Sequence, residues 1–374
     1  MFALADDLVW MDFETMERFM VDVFKGMGVP EEDARISAEV LITSDKKGID
    51  SHGVNRLKPT YYDRLRAGLQ SPVTKLEIIR EGPTTALIDG HRGMGHVIAK
   101  RAMRLCIGKA REYGMGMVAV RNSTHYGIAG YYAEMAAEAG MIGITGTNAR
   151  PSVAPTFGSE NMLGTNPLTI GFPTDEEFPF ILDCATSITQ RGKIEVYARI
   201  GKEVPEGLVT DPDGQSITDP NAILTALTRG EASFLPLGGL GEETGGYKGF
   251  GYSTVVEVLS AALQGGAFLK AITGVNLGHF FIAADISAFT EPESFMKTAG
   301  EIMRSLRGSR RLEGHDRIYT AGEKEHLAWL ERREKGVPLN RSLQLDLLTM
   351  RDELDIKGYD FPFKPKEPSN RQPI

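Results

Sequence analysis

Apolar positions near the start of the chain recur at helical spacing. Residues 13–47 read as helical: Thr15 can cap, and Phe19, Val21, Val23 and Phe24 cluster on a turn. GMGVPEED breaks the pattern. A second helix, from Glu31 to about Lys47, then places Ala34, Ile36, Ala38, Val40 and Leu41 at a period of about 3.6. Gly48 to Gly53 interrupts, and helix resumes from Val54 to Leu65. TALID (85–89) reads as a strand, GHRGMG as a turn, Val97 to Tyr113 as a helix and MVAV (117–120) as a second strand, giving a strand–helix–strand unit. Between 126 and 290 the runs MIGITGTN, PLTIGFP, FPFILDCA and GHFFIAADI are strand-like, with helices expected at 128–139, 186–199 and 250–264. The segment 201–239 is turn-rich and reads as a long surface excursion. Beyond 291 the chain is helical and charged as far as Arg351, and FPFKPKEPSNRQPI reads as a loose tail. The pattern predicts an α/β fold with a helical domain formed from both chain ends (1–75 and 300–355). A central α/β segment (76–122 and 275–299), an α/β domain over 123–274 and a tail over 356–374 complete it.

The composition supports a large buried core. Of 374 residues 41% are apolar and 25% charged, which excludes wholesale disorder. Glycine is the anomaly: 42 residues, roughly 11% against a typical ~7%, with no collagen period. The excess must therefore sit in turns or where backbone closely approaches something. The net charge is −8, and no basic block is longer than the arginine pairs at 310–311 and 332–333, so no nucleic-acid partner is expected. Cys106 and Cys184 lie far apart with no CxxC, which suits a reducing compartment and argues against zinc. The N-terminus has no basic region followed by an apolar one, and no run approaches 18 apolar residues. A soluble, cytoplasmic protein without a membrane partner is expected.

Four places carry candidate chemistry. In GHRGMGHVIAK a strand leads into Gly93-Met94-Gly95 and a helix, the context of a Rossmann fingerprint. Its third glycine position is Ile98, however, and the next strand ends in Arg121 and Asn122 rather than an acid, so a tight turn is the better reading. LGGLGEETGGYKGFG (237–251) opens a helix with Lys248 nearby; phosphate contact and a structural turn both remain open there. In Asp50-Ser51-His52-Gly53-Val54-Asn55-Arg56, His52 is expected to open a helix with Arg56 four residues on, on the same face. A histidine beside an arginine suits proton transfer on a small carboxylate substrate; the alternative is a capping variant with an exposed ion pair. In Asn122-Ser123-Thr124-His125-Tyr126-Gly127 the histidine follows a strand end, where catalytic side chains often sit; a hydrogen-bonding turn histidine is the alternative. His91 and His96 flank a turn without carboxylate support, so no metal site is expected. His279 begins an apolar strand and reads as buried structure, and His315 and His326 lie in charged helical surroundings. No GxSxG elbow is present, and Cys184 lacks an adjacent base.

The ordered motifs resemble the malate/L-lactate dehydrogenase family, the L-sulfolactate or ureidoglycolate dehydrogenase-like group distinct from the Rossmann-fold lactate and malate dehydrogenases. The resemblance rests on DSHGVNR, NSTHYG, GTN (146–148), LGTNP (163–167), DCATS (183–187), RGKIE (191–195), PEG near 205, LPLGG with GGYKGFG, GHFF (278–281), AGEKE (321–325) and GVPL (336–339). It implies a non-Rossmann α/β fold binding NAD, or NADP, through 123–274, and a homodimer. By the same resemblance His125 and His52 carry acid/base work and Arg56, with Ser51 beside it, contacts the substrate carboxylate. Thr147, Asn148 and the Gly164-Thr165-Asn166 turn match positions near nicotinamide and substrate. Asp183, Ala185, Thr186, Ser187, Lys248, Gly249, Gly322, Glu323 and Lys324 match stretches lining the cofactor. Thr124 stands where the family more often has asparagine and Cys184 where methionine or phenylalanine is common, while Arg150 is a candidate contact to a second acidic group on the substrate. The implied activity is hydride transfer between NAD(P) and a small (S)-2-hydroxy acid. The alternatives are a reductase of cyclic imino acids and, from a different class, a non-catalytic nucleotide- or anion-binding protein.

Overall fold

The apolar stripe at the N-terminus gives two helices, after a short strand β1 (Val9–Met11) that carries no periodic signal of its own. The computed structural model describes residues 8–199 and 201–364. Helix α1 (Phe13–Gly26) is capped by Asp12, whose carboxylate accepts the Thr15 N–H at 2.7 Å, so the cap lies one turn before the expected Thr15. Helix α2 (Glu31–Lys46) starts after Pro30 with Glu31, Glu32 and Asp33 in its first turn, favourable to the helix dipole. The helix expected over 54–65 is divided. A 3₁₀ turn (Val54–Arg56) runs into a π-helix (Leu57–Tyr62) and then α3 (Asp63–Arg66). Pro59 lies inside the wide turn, where its missing N–H cannot serve α-helical spacing.

Residues 76–147 build most of the sheet: β2 (Glu77–Glu81), β3 (Thr85–Asp89), α4 (Gly95–Tyr113), β4 (Met115–Ser123), α5 (Gly130–Glu138) and β5 (Met141–Thr147). Next come β6 (Leu168–Phe172), β7 (Phe180–Cys184) and α6 (Arg191–Arg199), then β8 (Val209–Thr210), α7 (Pro220–Arg229), β9 (Ser233–Phe234), α8 (Gly246–Ala261) and β10 (Leu277–Asp285). The chain ends with α9 (Pro292–Arg307), α10 (Glu323–Lys335), β11 (Val337–Leu339) and α11 (Arg341–Glu353). The seven-stranded sheet has the order β2-β3-β4-β10-β5-β6-β7. Only β3 and β4 run parallel, joined by α4 as the expected strand–helix–strand unit; every other pair is antiparallel. A mostly antiparallel sheet with one crossover is not a doubly wound nucleotide fold.

The apolar core has three parts. Met16, Phe19, Met20 and Leu41 from the start of the chain pack with Leu343, Leu347 and Met350 from its end, and β1 pairs antiparallel with β11 across the same join. A second cluster lies between α4, α5 and the sheet. The third corrects the reading of 201–239 as a surface excursion: β8, α7 and β9 bury Val204, Val209, Ile223 and Phe234 against Ile194. Helix α9 packs at the far end of the sheet, where Phe295 meets Phe172 edge-on and Arg304 pairs with Asp175. His315 lies in the turns between α9 and α10, not in a helix. The loose tail expected over 356–374 is corrected in its described part, where Tyr359 and Phe363 are buried in the first core cluster and Tyr359 and Phe361 meet Phe19 edge-on; residues 365–374 lie outside the described residues. Among the described residues no helix is long and apolar enough to cross a membrane.

Candidate active site

The DSHG turn follows α2 and is shaped by a residue the motif does not contain. Asp45, in the last turn of α2, is buried, and its carboxylate accepts the Val54 N–H at 2.9 Å. A Cβ on Gly53 would stand 2.0 Å from Asp45 Oδ1, so glycine is what lets that carboxylate reach. Burial pushes the Asp45 carboxyl well above its usual range, against the pull of the Val54 N–H. Asp50 pairs with Arg332 of α10, tying the turn to the C-terminal helices. Ser51 Oγ lies 2.8 Å from His52 Nδ1, and Arg56 Nε donates to Ser51 O at 2.6 Å. His52 therefore precedes the 3₁₀ turn instead of opening an α-helix, and Arg56 folds back onto the turn. The exposed ion pair weighed as an alternative is not made: among the described residues Arg56 has no acidic partner.

His125 leaves the end of β4 in a loop held by Thr124, which donates to Gly93 O at 2.8 Å and accepts the Gly95 N–H at 2.9 Å. A Cβ on Gly95 would come within 2.3 Å of His125 O, so the glycine that imitated a Rossmann fingerprint makes room for the histidine loop. The His52 and His125 rings lie nearly parallel, 5.5 Å between centroids. His125 Nδ1 is 2.6 Å from the hydroxyl of Tyr61, on the π-helix, and Gly127 N–H donates to the same nitrogen from 3.3 Å. In this state Nδ1 accepts, so the proton of the neutral ring sits on Nε2. Burial lowers the His52 pKa to about 4, helped by Arg56. It holds His125 well below the usual value, reinforced by His52, His96, Arg56 and Arg64. Both rings are neutral near pH 7.

The other sequence candidates divide by what their side chains already touch. Asn148 is fully buried, accepting the Gly278 N–H (2.9 Å) and donating to Ala267 O (3.1 Å), so a substrate contact would compete with both bonds. Asn166 is likewise engaged, donating to Glu257 (2.8 Å) and accepting from Ala149 N–H (3.1 Å). Thr147 Oγ1 donates to Gly278 O and meets His279 Nδ1 at 2.8 Å; His279 is buried and stacks on Tyr126 at 4.4 Å. Gly164 admits Ala149 O to 2.5 Å from its would-be Cβ. Asp183 accepts from Gly130 N–H (2.7 Å) and Thr169 (2.9 Å).

The cofactor-matching motifs are brought together at the end of β7. Thr186 N–H bonds Thr165 O, Leu237 N–H bonds Thr186 O, and Gly249 packs on the Leu237 backbone, 2.1 Å from its carbonyl to a would-be Cβ. Gly246 likewise faces Gly239 O at 2.1 Å, so the glycines before α8 have a packing cause independent of any ligand. Ala185 and Ser187 continue this run, which ends at Gly192 against Ser51 and Arg56, where a Cβ would stand 3.5 Å from Ser51 Cβ. Between them Thr189 Oγ1 is buried without a protein partner among the described residues, a free polar group suited to a nucleotide. Lys248 is exposed at the start of α8. Gly322, Glu323 and Lys324 stand at the other end of β7: Gly322 abuts Pro179 O, Glu323 pairs with Arg317, and Lys324 lies over Tyr319. Among the described residues no group of three or more His, Cys, Asp or Glu could hold a metal.

Comparison with known proteins identifies the family. A family described as malate/L-lactate dehydrogenase matches residues 11–347. The chain belongs to the malate/L-lactate dehydrogenase family. It is 44% identical to a malate dehydrogenase of Pyrococcus horikoshii over 91% of this chain and 94% of that protein. It is 38% identical to an L-sulfolactate dehydrogenase of Methanocaldococcus jannaschii, over 93% and 98%. The crystal structure of a malate dehydrogenase from Entamoeba histolytica superposes with a TM-score of 0.92 at 44% identity, covering 95% of this chain and all of that one. The chain is thus a 2-hydroxyacid dehydrogenase and uses a nicotinamide cofactor. Beside the candidate residues stand Tyr61 and Arg64, which the sequence reading did not single out, and the buried His96, which it set aside as a histidine flanking a turn and whose ring lies 4.6 Å from Tyr61. The broken helix over 54–66 carries the first two, and only contacts with residues 125 and 274 reveal them.

Proposed function

We propose that this dehydrogenase interconverts an (S)-2-hydroxy acid of the malate kind and its 2-oxo acid, with Arg56 gripping the C1 carboxylate and His125 as acid/base. The observation that supports this most directly is an arginine without an acidic partner, beside two histidines held neutral. Arg56 spends Nε on Ser51 O and keeps its Nη groups for a carboxylate, the geometry of a bidentate grip. Thr165, Ala185 to Thr189 and Lys248–Gly249 would hold the dinucleotide. Bound nicotinamide supplies the hydride acceptor or donor for C2 of the acid. On reduction the His125 ring takes up a proton from solvent and gives its Nε2 proton to the 2-oxo oxygen, ending neutral with its remaining proton on Nδ1; on oxidation that neutral Nδ1–H ring takes the hydroxyl proton on Nε2. The Tyr61 hydroxyl, able to donate to Nδ1 or accept from it, follows the change. His52 and Ser51 flank the reacting oxygen. We further propose a homodimer through α8, which leaves Tyr252, Val255 and Val258 half-exposed along one face.

The test is consumption of NADH and of NADPH with oxaloacetate, sulfopyruvate, pyruvate and a cyclic imino acid. His125→Ala should lower kcat by ~10²–10⁴-fold with NADH still bound. Near wild-type turnover would refute the assignment, and turnover of the imine alone would replace the hydroxy-acid reading. Arg56→Ala should act on kcat/KM, and an unchanged value would remove its carboxylate role.

A further inference from the structure

Arg56, Arg64 and Arg150 lie around the histidine pair without an acidic partner among the described residues. A fourth arginine comes from the far end of the chain and spends both terminal nitrogens on the DSHG turn. Arg332, on α10, donates through Nη1 to the Asp45 carbonyl at 2.7 Å and to Asp50 Oδ1, and through Nη2 to Asp50 Oδ2 at 2.9 Å. A planar guanidinium makes this two-pronged grip on a carboxylate, and a lysine ammonium cannot copy it. The Arg332 side chain is 12% exposed and that of Asp50 14%, so solvent screens the pair little. Close approach of the helix brings it there. Ala328 lies one turn earlier on the same face of α10, and a Cβ on Gly48 would stand 2.8 Å from its methyl; the φ of 74° at Gly48 also favours glycine.

Asp50 passes this grip to the groups that meet the acid. Its carbonyl accepts Asn55 Nδ2 at 2.9 Å. One residue on, Ser51 O holds Arg56 Nε and Ser51 Oγ meets His52 Nδ1. Arg332 thus joins the end of α2 to the start of the turn, and the turn to α10. Burial draws the Arg332 pKa down, but the Asp50 hydrogen bonds and the charges of Asp50 and Asp45 outweigh it and hold it above its usual range, so the guanidinium stays charged.

We propose that Arg332 is a positioning residue for the reaction: through the Asp50 carboxylate and the Asp45 carbonyl it fixes the turn that presents Ser51, His52 and Arg56 to the acid. This rests on the reading above that Arg56 grips the acid, and deepens it. A shift of about 1 Å in a group that orients substrate can cost ~10²-fold, so a residue that never meets the acid can still govern its use.

The experiment compares the wild type with Arg332→Gln, Arg332→Lys, Asp50→Asn and the double variant Asp50→Asn/Arg332→Gln. For each it reads kcat and KM for the 2-oxo acid that the wild type reduces fastest, NADH affinity by fluorescence, melting temperature and the ¹⁵N shifts of His52. Arg332→Gln should lower kcat/KM by roughly 10- to 100-fold, most of it in KM, with NADH affinity unchanged and the His52 shifts moved. Arg332→Lys, which keeps the charge without the fork, should recover part of the loss. Asp50→Asn should lose a similar amount, and the double variant no more than either single one, because the same grip is removed. Should Arg332→Gln fail to fold, Asp50→Asn and Arg332→Lys carry the same comparison. Additive losses, a wild-type kcat/KM, or an equal loss of NADH affinity would overturn the proposal. So would a lowered melting temperature with kcat/KM intact per folded enzyme, which would make Arg332 a strut for the fold alone. Arg56→Ala with unchanged kcat/KM would defeat only the carboxylate reading, whereas His52 shifts unmoved in Arg332→Gln would defeat this one.

Discussion

Tyr61→Phe isolates one hydrogen bond at the centre of the site. Tyr61 is fully buried, edge-on to Phe24 at 6.1 Å and tilted over His96 at 4.6 Å, and phenylalanine keeps both contacts. Burial pushes the phenol pKa up, so the hydroxyl stays protonated at any working pH. Its one hydrogen-bond partner among the described residues is His125 Nδ1 at 2.6 Å. A neutral hydrogen bond is worth a net ~0.5–1.5 kcal/mol, and if that energy orients the ring in the transition state, kcat falls by about 2- to 13-fold. Because the hydroxyl bonds His125 and belongs to none of the stretches proposed to hold the acid or the dinucleotide, KM for the acid and affinity for NADH should hold. The assay is kcat and KM across pH, paired with ¹⁵N-histidine NMR to read the His125 tautomer. In the wild type the proton should sit on Nε2. Removal of the hydroxyl should shift the pH profile of kcat, since Nδ1 would then have only the Gly127 N–H at 3.3 Å. An unchanged kcat, or a rise in KM at constant kcat, would refute a positioning role for Tyr61.

Other consequences are equally open to measurement. Gly53→Ala must displace the Asp45 carboxylate from 2.0 Å and strip the Val54 N–H of its partner, costing ~1–3 kcal/mol and most activity; an unaltered thermal melt would contradict this. His96 and His279 are buried and held neutral, each with its pKa lowered by burial from 6.5 to about 3. The unfolded chain therefore binds protons first as pH falls below 6.5, and stability present above that value is lost progressively toward pH 3. At pH 5 the loss is about 2 kcal/mol per histidine, so a melting temperature unchanged between pH 7 and pH 5 would contradict burial of the neutral forms. Val258→Asp places a charge on the half-exposed face of α8 and should convert a dimer to monomers by light scattering; a monomeric wild type would remove the dimer proposal.

Much of the fold was legible because its elements are long. The α4 crossover carries apolar period over 19 residues, and β5, β6, β7 and β10 are continuous apolar runs. What escaped was short or set by distant contacts. Strands β1 and β11 have three residues each, too few for any period to show, and β2 is exposed throughout, so it has no apolar face to betray it. The sequence placed Arg56 one α-helical turn beyond His52. The 3₁₀ and π turns around Pro59 put it elsewhere and bring Tyr61 beneath His125 instead. Glycines 53, 95 and 249 were visible as motif letters, but the reason for each is an atom far away in sequence: Asp45 Oδ1, His125 O and Leu237 O. The family motifs matched Asn148 and Asn166 to positions near nicotinamide and substrate; that their amides also bond β10 and α8 shows only in the fold.

The join between β1 and β11 bears on how the enzyme is made. His52, Arg56 and Tyr61 are synthesised early, yet the apolar bed under their helices is finished only by Leu343, Leu347 and Met350. On the ribosome the nascent chain carries its histidine turn through nearly all of translation before the last helix arrives to seat it. A chain stopped just short of β11 would own every side chain proposed to act in the reaction and lack the floor on which they stand.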